Sequence, residues 1–160
     1  MGKIICICGK ICSGKSTYAD ELCSKGRAVL LSVDEVMLSI FGLYAGEKHD
    51  EYTAGVQAYL LEKAAEIAGM GIDVVLDWGF WTTQSRKRVK EYFENKGIKS
   101  ELHYIDIPDY LWEERIAKRN ADITAGRVSA YIVDENLAAK FARIFEEPGS
   151  AEIAVRVQEE

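Results

Sequence analysis

Apolar residues along the chain fall into two alternating rhythms, short continuous runs of strand length and longer stretches with helical spacing. Residues 3–8 (KIICIC) form a β-branched run that stops at Gly9 and is too short for a buried helix, which predicts a first strand. From Ser16 onward, Tyr18 and Leu22 stand four apart, as do Ala19 and Cys23, predicting a helix that closes at Gly26. Residues 28–32 (AVLLS) predict a second strand, and residues 34–41 a short helix with Asp34 near its start. A longer helix is expected from about residue 50 to 68, with Val56, Leu60, Ala64 and Ile67 on one face and Gly69 and Gly71 ending it. Residues 73–76 (DVVL) predict a third strand leading into Asp77, and residues 83–96 a basic amphipathic helix that stops at Gly97. Residues 102–107 alternate enough for a partly buried fourth strand. Residues 109–120 and 129–145 predict two helices separated by ADITAGRV, and residues 153–157 a last short strand.

Strands alternating with helices predict a three-layer α/β fold: a parallel sheet covered on both faces, with ligands at the carboxyl ends of its strands. The chemistry is therefore expected where Gly9, Ser32, Asp77 and Ile107 end their strands. At 160 residues and 48% hydrophobic content, the chain suits one domain over residues 1–160. No internal repeat or low-complexity segment interrupts it. Its net charge of -6 opposes broad binding to a phosphate backbone and argues against a nucleic-acid partner. Cys6, Cys8, Cys12 and Cys23 crowd the N-terminal quarter without the spacing of paired metal ligands, which predicts small buried thiols in a reducing compartment. With neither a signal-peptide pattern nor an apolar run of membrane-spanning length, a cytoplasmic protein without a membrane partner is expected.

The segment GKICSGKST, residues 9–17, matches the pattern of glycine, four residues, glycine, lysine and serine, and lies between a predicted strand and a predicted helix. Gly9 and Gly14 allow the tight turn that lets amides from Ile11, Cys12, Ser13 and Gly14 to Ser16 converge on a β-phosphate at a helix N-terminus. Lys15 then reaches the β and γ oxygens, Ser16 ligates Mg²⁺ and Thr17 holds the α-phosphate of ATP. Guanine-reading proteins usually carry an NKxD-type segment, whereas here Asn95 and Lys96 are followed by Gly97 and Ile98. The chain is too short for the extra elements of a helicase or transporter ATPase, leaving a compact kinase.

A kinase needs a carboxylate to orient the acceptor hydroxyl and take its proton, and Asp34, just past the second strand, is the candidate general base. It also suits a helix N-cap, and one residue can do both. Asp77 is a candidate magnesium carboxylate, with a substrate contact or a turn cap as alternatives. Trp78, Phe80 and Trp81 either wall a substrate pocket or pack beneath the next helix. Arg86 and Arg88 are expected on its solvated face. A mobile lid of about residues 115–130 is expected to bring arginine to the transferring phosphoryl group, with Arg119 and Arg127 in that role and Arg115 assigned to neither lid nor surface. Residues 145–150 (FEEPGS) are placed near the adenine, and His49 in a solvated loop.

Taken together, GKICSGKST, SVDEVMLSIFG, VVLDWGFW followed by Arg86 and Arg88, HYIDIP, ERIAKRN and FARIFEEP span nearly the whole chain. This set, in this order, resembles the small P-loop kinase-like proteins often labelled AAA-family ATPases, which are related to chloramphenicol phosphotransferase and the zeta-toxin kinases. The resemblance implies a nucleoside-monophosphate-kinase-like P-loop fold with sheet order 2-3-1-4-5, Asp34 matching an acceptor-activating aspartate and Arg119 a lid arginine. Polynucleotide 5′-kinases of related fold place an arginine three residues after that aspartate, where this chain has Met37. The leading expectation is ATP- and Mg²⁺-dependent phosphorylation of a hydroxyl on a small molecule of antibiotic, sugar or nucleoside type. A nucleic-acid or nucleotide-sugar kinase, and an ATP-binding switch that transfers no phosphate, stay open. Nothing in residues 36–60 names the acceptor, and nothing in the chain fixes the oligomeric state.

Overall fold

The computed structural model describes residues 1–26 and 28–159. Eleven elements follow in order: β1 (Ile4–Cys8), α1 (Lys15–Lys25), β2 (Ala28–Ser32), α2 (Val33–Phe41), α3 (His49–Gly69), β3 (Asp73–Gly79), α4 (Thr83–Glu94), β4 (Ser100–Asp106), α5 (Asp109–Thr124), α6 (Glu135–Ile144) and β5 (Ile153–Gln158). The strands form one parallel five-stranded sheet in the order β2-β3-β1-β4-β5, as the resemblance implied.

Every residue of β1 is buried, because the strand is central and both its faces are covered by helices. Its side chains still alternate. Ile4, Cys6 and Cys8 join Leu61, Ala64, Phe80 and Phe93 in one core, while Ile5 and Ile7 join Ala19, Val75, Ile105 and Trp112 in the other. A third cluster of Val33, Met37 and Leu60 packs α2 against α3 beside the edge strand β2. All four cysteines are unpaired with one another; Cys6 and Cys8 are buried as expected, whereas Cys12, in the loop, and Cys23, on α1, are only half-buried. Among the described residues, no helix is long and apolar enough to cross a membrane.

Boundaries move where local hydrogen bonding outweighs apolar spacing. The helix expected over residues 129–145 starts only at Glu135, since the Asp134 carboxylate accepts from the Leu137 N–H at 2.8 Å and caps it there. β3 and β4 are longer than the apolar runs that announced them, because strand pairing carries β3 through Asp77 and β4 back to Ser100.

Arg86 departs from the solvated role expected of it. Its side chain is only 3% exposed. Nε donates to Glu152 Oε2 at 2.9 Å, Nη1 to the carbonyls of Phe80 at 3.1 Å and Glu146 at 2.8 Å, and Nη2 to Thr83 Oγ1 at 3.2 Å. A planar five-donor cation is the side chain able to join three chain segments in this way. It fastens the segment before β5 to the turn after β3, where Phe80 holds a left-handed φ of 52°. Arg88, by contrast, is exposed as expected. Arg86→Met should lower stability by about 2 kcal/mol, since it leaves the Phe80 and Glu146 carbonyls without this donor and removes the ion pair of Glu152; urea unfolding measures the loss.

Candidate active site

The phosphate loop begins where β1 runs out of room. A side chain at Gly9 would place its Cβ 2.6 Å from Ser13 Oγ and 3.2 Å from the Ile105 carbonyl oxygen, so only glycine permits the chain to turn there. The turn closes through Cys12 and Gly14, whose φ values of 60° and 101° are left-handed. Alternation of this kind turns amides to the concave side of a loop and carbonyls to the outside, where each needs its own donor. The donors are present. Lys15 Nζ donates to the carbonyls of Gly9 at 3.1 Å and Lys10 at 2.7 Å, Trp112 Nε1 to that of Ile11 at 2.6 Å, Arg115 Nη1 to that of Ser13 at 2.5 Å, and the Tyr18 N–H to that of Gly14 at 3.0 Å. The Ser13 amide itself bonds back to the Lys10 carbonyl at 3.2 Å and thus leaves the converging set expected of it.

Thr17 and Ser16 begin α1 with exposed side chains. The Ser16 hydroxyl donates to Asp77 Oδ2 at 2.8 Å, an oxygen pair from α1 and β3 that the parallel register of β1 and β3 brings to one edge of the sheet. Ser32 ends β2 beside Asp77 in register and caps α2, its Oγ accepting from the Glu35 N–H at 3.3 Å. Asp34 is therefore not the cap, and its exposed side chain stands in the first turn with no hydrogen bond among the described residues. Surrounding protein and the negative Asp77 push the Asp34 carboxyl above the usual carboxylate range, against the opposing pull of Lys15, Arg119 and His49. Burial lowers Lys15 below the usual lysine range, against the pull of Asp77, Cys8, Cys12 and Asp34. Two carboxylates and a lysine thus share one field. His49, expected in a loop, is the exposed first residue of α3, within electrostatic reach of Asp34.

α5 lies along the loop. Lys10 pairs with Asp109 at 2.7 Å and sits 4.8 Å over the Trp112 ring. Arg115 pairs with Glu159 at the end of β5, and Arg119 Nη1 donates to Cys12 Sγ at 3.4 Å. Arg119 Nε is buried without a partner among the described residues. Arg127 stands apart: it is exposed and paired with Asp122 at 2.6 Å, so the structure does not bring it to the loop. Of the aromatic residues after Asp77, Phe80 is core, Trp78 is half-buried against two core clusters, and Trp81 packs edge-on against Phe141 at 4.8 Å between ring centroids. Phe145 of the FEEPGS segment stacks on Tyr104 at 6.2 Å, and the Glu146 carboxylate accepts from the Thr83 N–H at 2.7 Å. Lys10 and Trp112 are the residues that sequence reasoning missed, with the spacing of Trp112 to Arg115 and Arg119 on one helix as the available signal, and Arg115, assigned to neither lid nor surface, turns to the Ser13 carbonyl and Glu159.

This strand, glycine loop and helix, in a sheet of order 2-3-1-4-5, define a P-loop protein with the architecture of the compact kinases. The chain belongs to the AAA domain family, whose model matches residues 4–153. No curated protein matches the sequence significantly. Among solved structures, a protein from Chloroflexus aurantiacus provisionally named a kinase is similar with a TM-score of 0.74 and 19% identity, covering 98% of this chain and 86% of that one. The APS kinase of Mycobacterium tuberculosis in complex with AMPPNP and APS gives 0.60 and 19%, covering 99% and 89%. A gluconokinase from Sinorhizobium meliloti 1021 gives 0.63 and 15%, covering 98% and 82%. At these identities the likeness carries the fold.

A carboxyl whose folded pKa is raised loses stability as pH rises through its titration, and the exposure of the Asp34 side chain keeps that loss small. Asp34→Asn should raise the urea midpoint at pH 7, and the gain should fade as pH falls through the carboxylate range, where the parent residue is protonated as well.

Proposed function

We propose that the protein is an ATP- and Mg²⁺-dependent phosphotransferase that moves the γ-phosphoryl group to a hydroxyl of a small molecule, with Asp34 as general base. The observation that carries this reading is the free Asp34 carboxylate, released from capping by Ser32 and held in one field with Lys15, Asp77 and Arg119. A general base tuned above the ordinary carboxylate range takes a hydroxyl proton more readily.

The residues fit the partners this chemistry requires. Gly9, Ile11, Cys12, Gly14, Lys15, Ser16 and Thr17 would form the phosphate cradle, with the Ser13 amide held by the Lys10 carbonyl and Lys15 exchanging its loop carbonyls for phosphate oxygens. Ser16 and Asp77 are the hard oxygen pair that would hold Mg²⁺, which takes one or two protein ligands alongside substrate phosphates. Bound there, the ion would neutralise charge between the β- and γ-phosphates. Arg119 faces the loop with an unpartnered Nε and needs little movement to meet γ oxygens. Arg127 would first have to leave Asp122 as a lid over about residues 115–130 closed, so the first assignment falls on Arg119. In the transfer, the bond from the γ-phosphorus to its bridging oxygen breaks as one to the acceptor oxygen forms, ADP departs, and the hydroxyl proton passes to Asp34.

The acidic net charge and Met37, buried on α2, both weigh against a nucleic-acid acceptor. Screening radiolabelled ATP against sugars, nucleosides and aminoglycoside or phenicol antibiotics should identify an acceptor. With it in hand, Asp34→Asn should cut transfer about a hundredfold or more while Mg–ATP affinity stays within about threefold of the parent. Transfer at the parental rate in that variant would remove Asp34 from its role.

A further inference from the structure

The loop's outward carbonyls include two whose donors come from one distant helix. Ile11 accepts from the Trp112 indole N–H, and Ser13 from the Arg115 guanidinium, 101 and 102 residues away along the chain. The same helix contributes Asp109 to Lys10 and Arg119 to Cys12. Residues 109, 112, 115 and 119 lie on one face of α5 by their spacing of three, three and four, and together they touch four consecutive loop residues, 10–13. A lid that swings freely would leave these carbonyls without donors, and a buried acceptor left unpaired is costly.

We propose that α5 is a fixed brace for the phosphate loop, with Trp112 and Arg115 as positioning residues that hold the Ile11 and Ser13 carbonyls outward so that the neighbouring amides stay aimed at the phosphates. Trp112 is suited to this because its ring is anchored in the core with Ile5, Ile7 and Ile107 while its N–H reaches the Ile11 carbonyl. Arg115 is suited because its fork spans two partners, the Ser13 carbonyl and the Glu159 carboxylate, and so ties the loop to the end of β5. The lid's moving part then begins beyond Arg119. This inference rests on the nucleotide-binding part of the proposed function. It also separates Arg115 from a direct hold on the γ-phosphate, since a residue acting through the loop affects every nucleotide that carries the α- and β-phosphates.

The test is isothermal titration calorimetry of the full chain with Mg–ADP and Mg–ATPγS, comparing the parent with Trp112→Phe and Arg115→Lys. Phenylalanine keeps a buried ring but removes the indole donor, and lysine keeps the charge but loses the planar fork whose two arms reach the Ser13 carbonyl and Glu159. Both variants should lose affinity about tenfold, by the same factor for ADP as for ATPγS, as expected for an unpaired carbonyl at the cradle. Urea unfolding confirms that each variant is folded at the assay temperature; should Trp112→Phe fail to fold, the half-exposed Arg115→Lys still decides. Parental affinity in the folded variants would overturn the brace. So would a loss in Arg115→Lys confined to ATPγS, which would place Arg115 on the γ-phosphate. Failure of the parent itself to bind either nucleotide would instead remove the proposed function, and the brace with it.

Discussion

A loop that turns its amides inward to meet an anion must turn its carbonyls outward, and each of those carbonyls then needs a donor. Much of this protein is organised around that requirement. Lys15 answers Gly9 and Lys10 from within the loop, Tyr18 answers Gly14 from the first turn of α1, and α5 answers Ile11 and Ser13 from the same face of the sheet as α1. Gly9 makes the arrangement possible by allowing the loop to approach β4, where the Ile105 carbonyl would crowd any side chain. The parallel register then brings Asp77 beneath Ser16 and Ser32 beside Asp77, so that one strand edge collects the groups that face the loop.

Electrostatic tension at that edge follows from crowding opposite charges where some water is excluded. Lys15 is pulled below its ordinary range and Asp34 pushed above its own, although each lies in the other's field and the attraction between them works against both shifts. Desolvation wins in both cases. Strained titration of this sort is common where a fold has been arranged for chemistry rather than for stability. The buried Arg86 cluster behaves differently: its charge is answered by Glu152 and by carbonyls in fixed geometry, and it serves to hold chain segments together.

The architecture was legible in the sequence because the apolar runs are bounded by residues with strong local preferences. Gly9, Gly26 and Gly97 mark turns or helix ends, and the buried strands carry continuous Ile, Val and Leu. The position of the loop between strand and helix followed from spacing, whereas the hydrogen bond from Ser16 to Asp77, for which the sequence leaves several roles open, comes from the sheet register. Less legible were features that depend on which surface of a helix meets which neighbour. Arg86 lies on a helix whose charges are otherwise solvated, and nothing in QSRKRVK marks it as the residue that turns inward to Glu152. Trp112 reads as core from its type, and it is core; that its N–H reaches the Ile11 carbonyl depends on the crossing of α5 over the loop, which no local pattern encodes. Ser32 took the cap from Asp34 because β2 delivers its hydroxyl to the Glu35 amide before the helix starts, a difference of two residues that frees a carboxylate.

The pairing of Ile11 with Trp112 and of Ser13 with Arg115 also bears on how the protein comes into being. The signature of the loop is complete within its first 17 residues, but the loop's stable shape draws on donors made about a hundred residues later, and β1 itself lies between strands that begin at residues 73 and 100. During synthesis from the N-terminus, the most diagnostic segment of the chain is therefore among the last to acquire its working form. Until α5 emerges, the face of β1 that carries Ile5 and Ile7 lacks Trp112, whereas Cys6 and Cys8 on the other face already have neighbours from α3, β3 and α4, so the face that braces the loop is completed last.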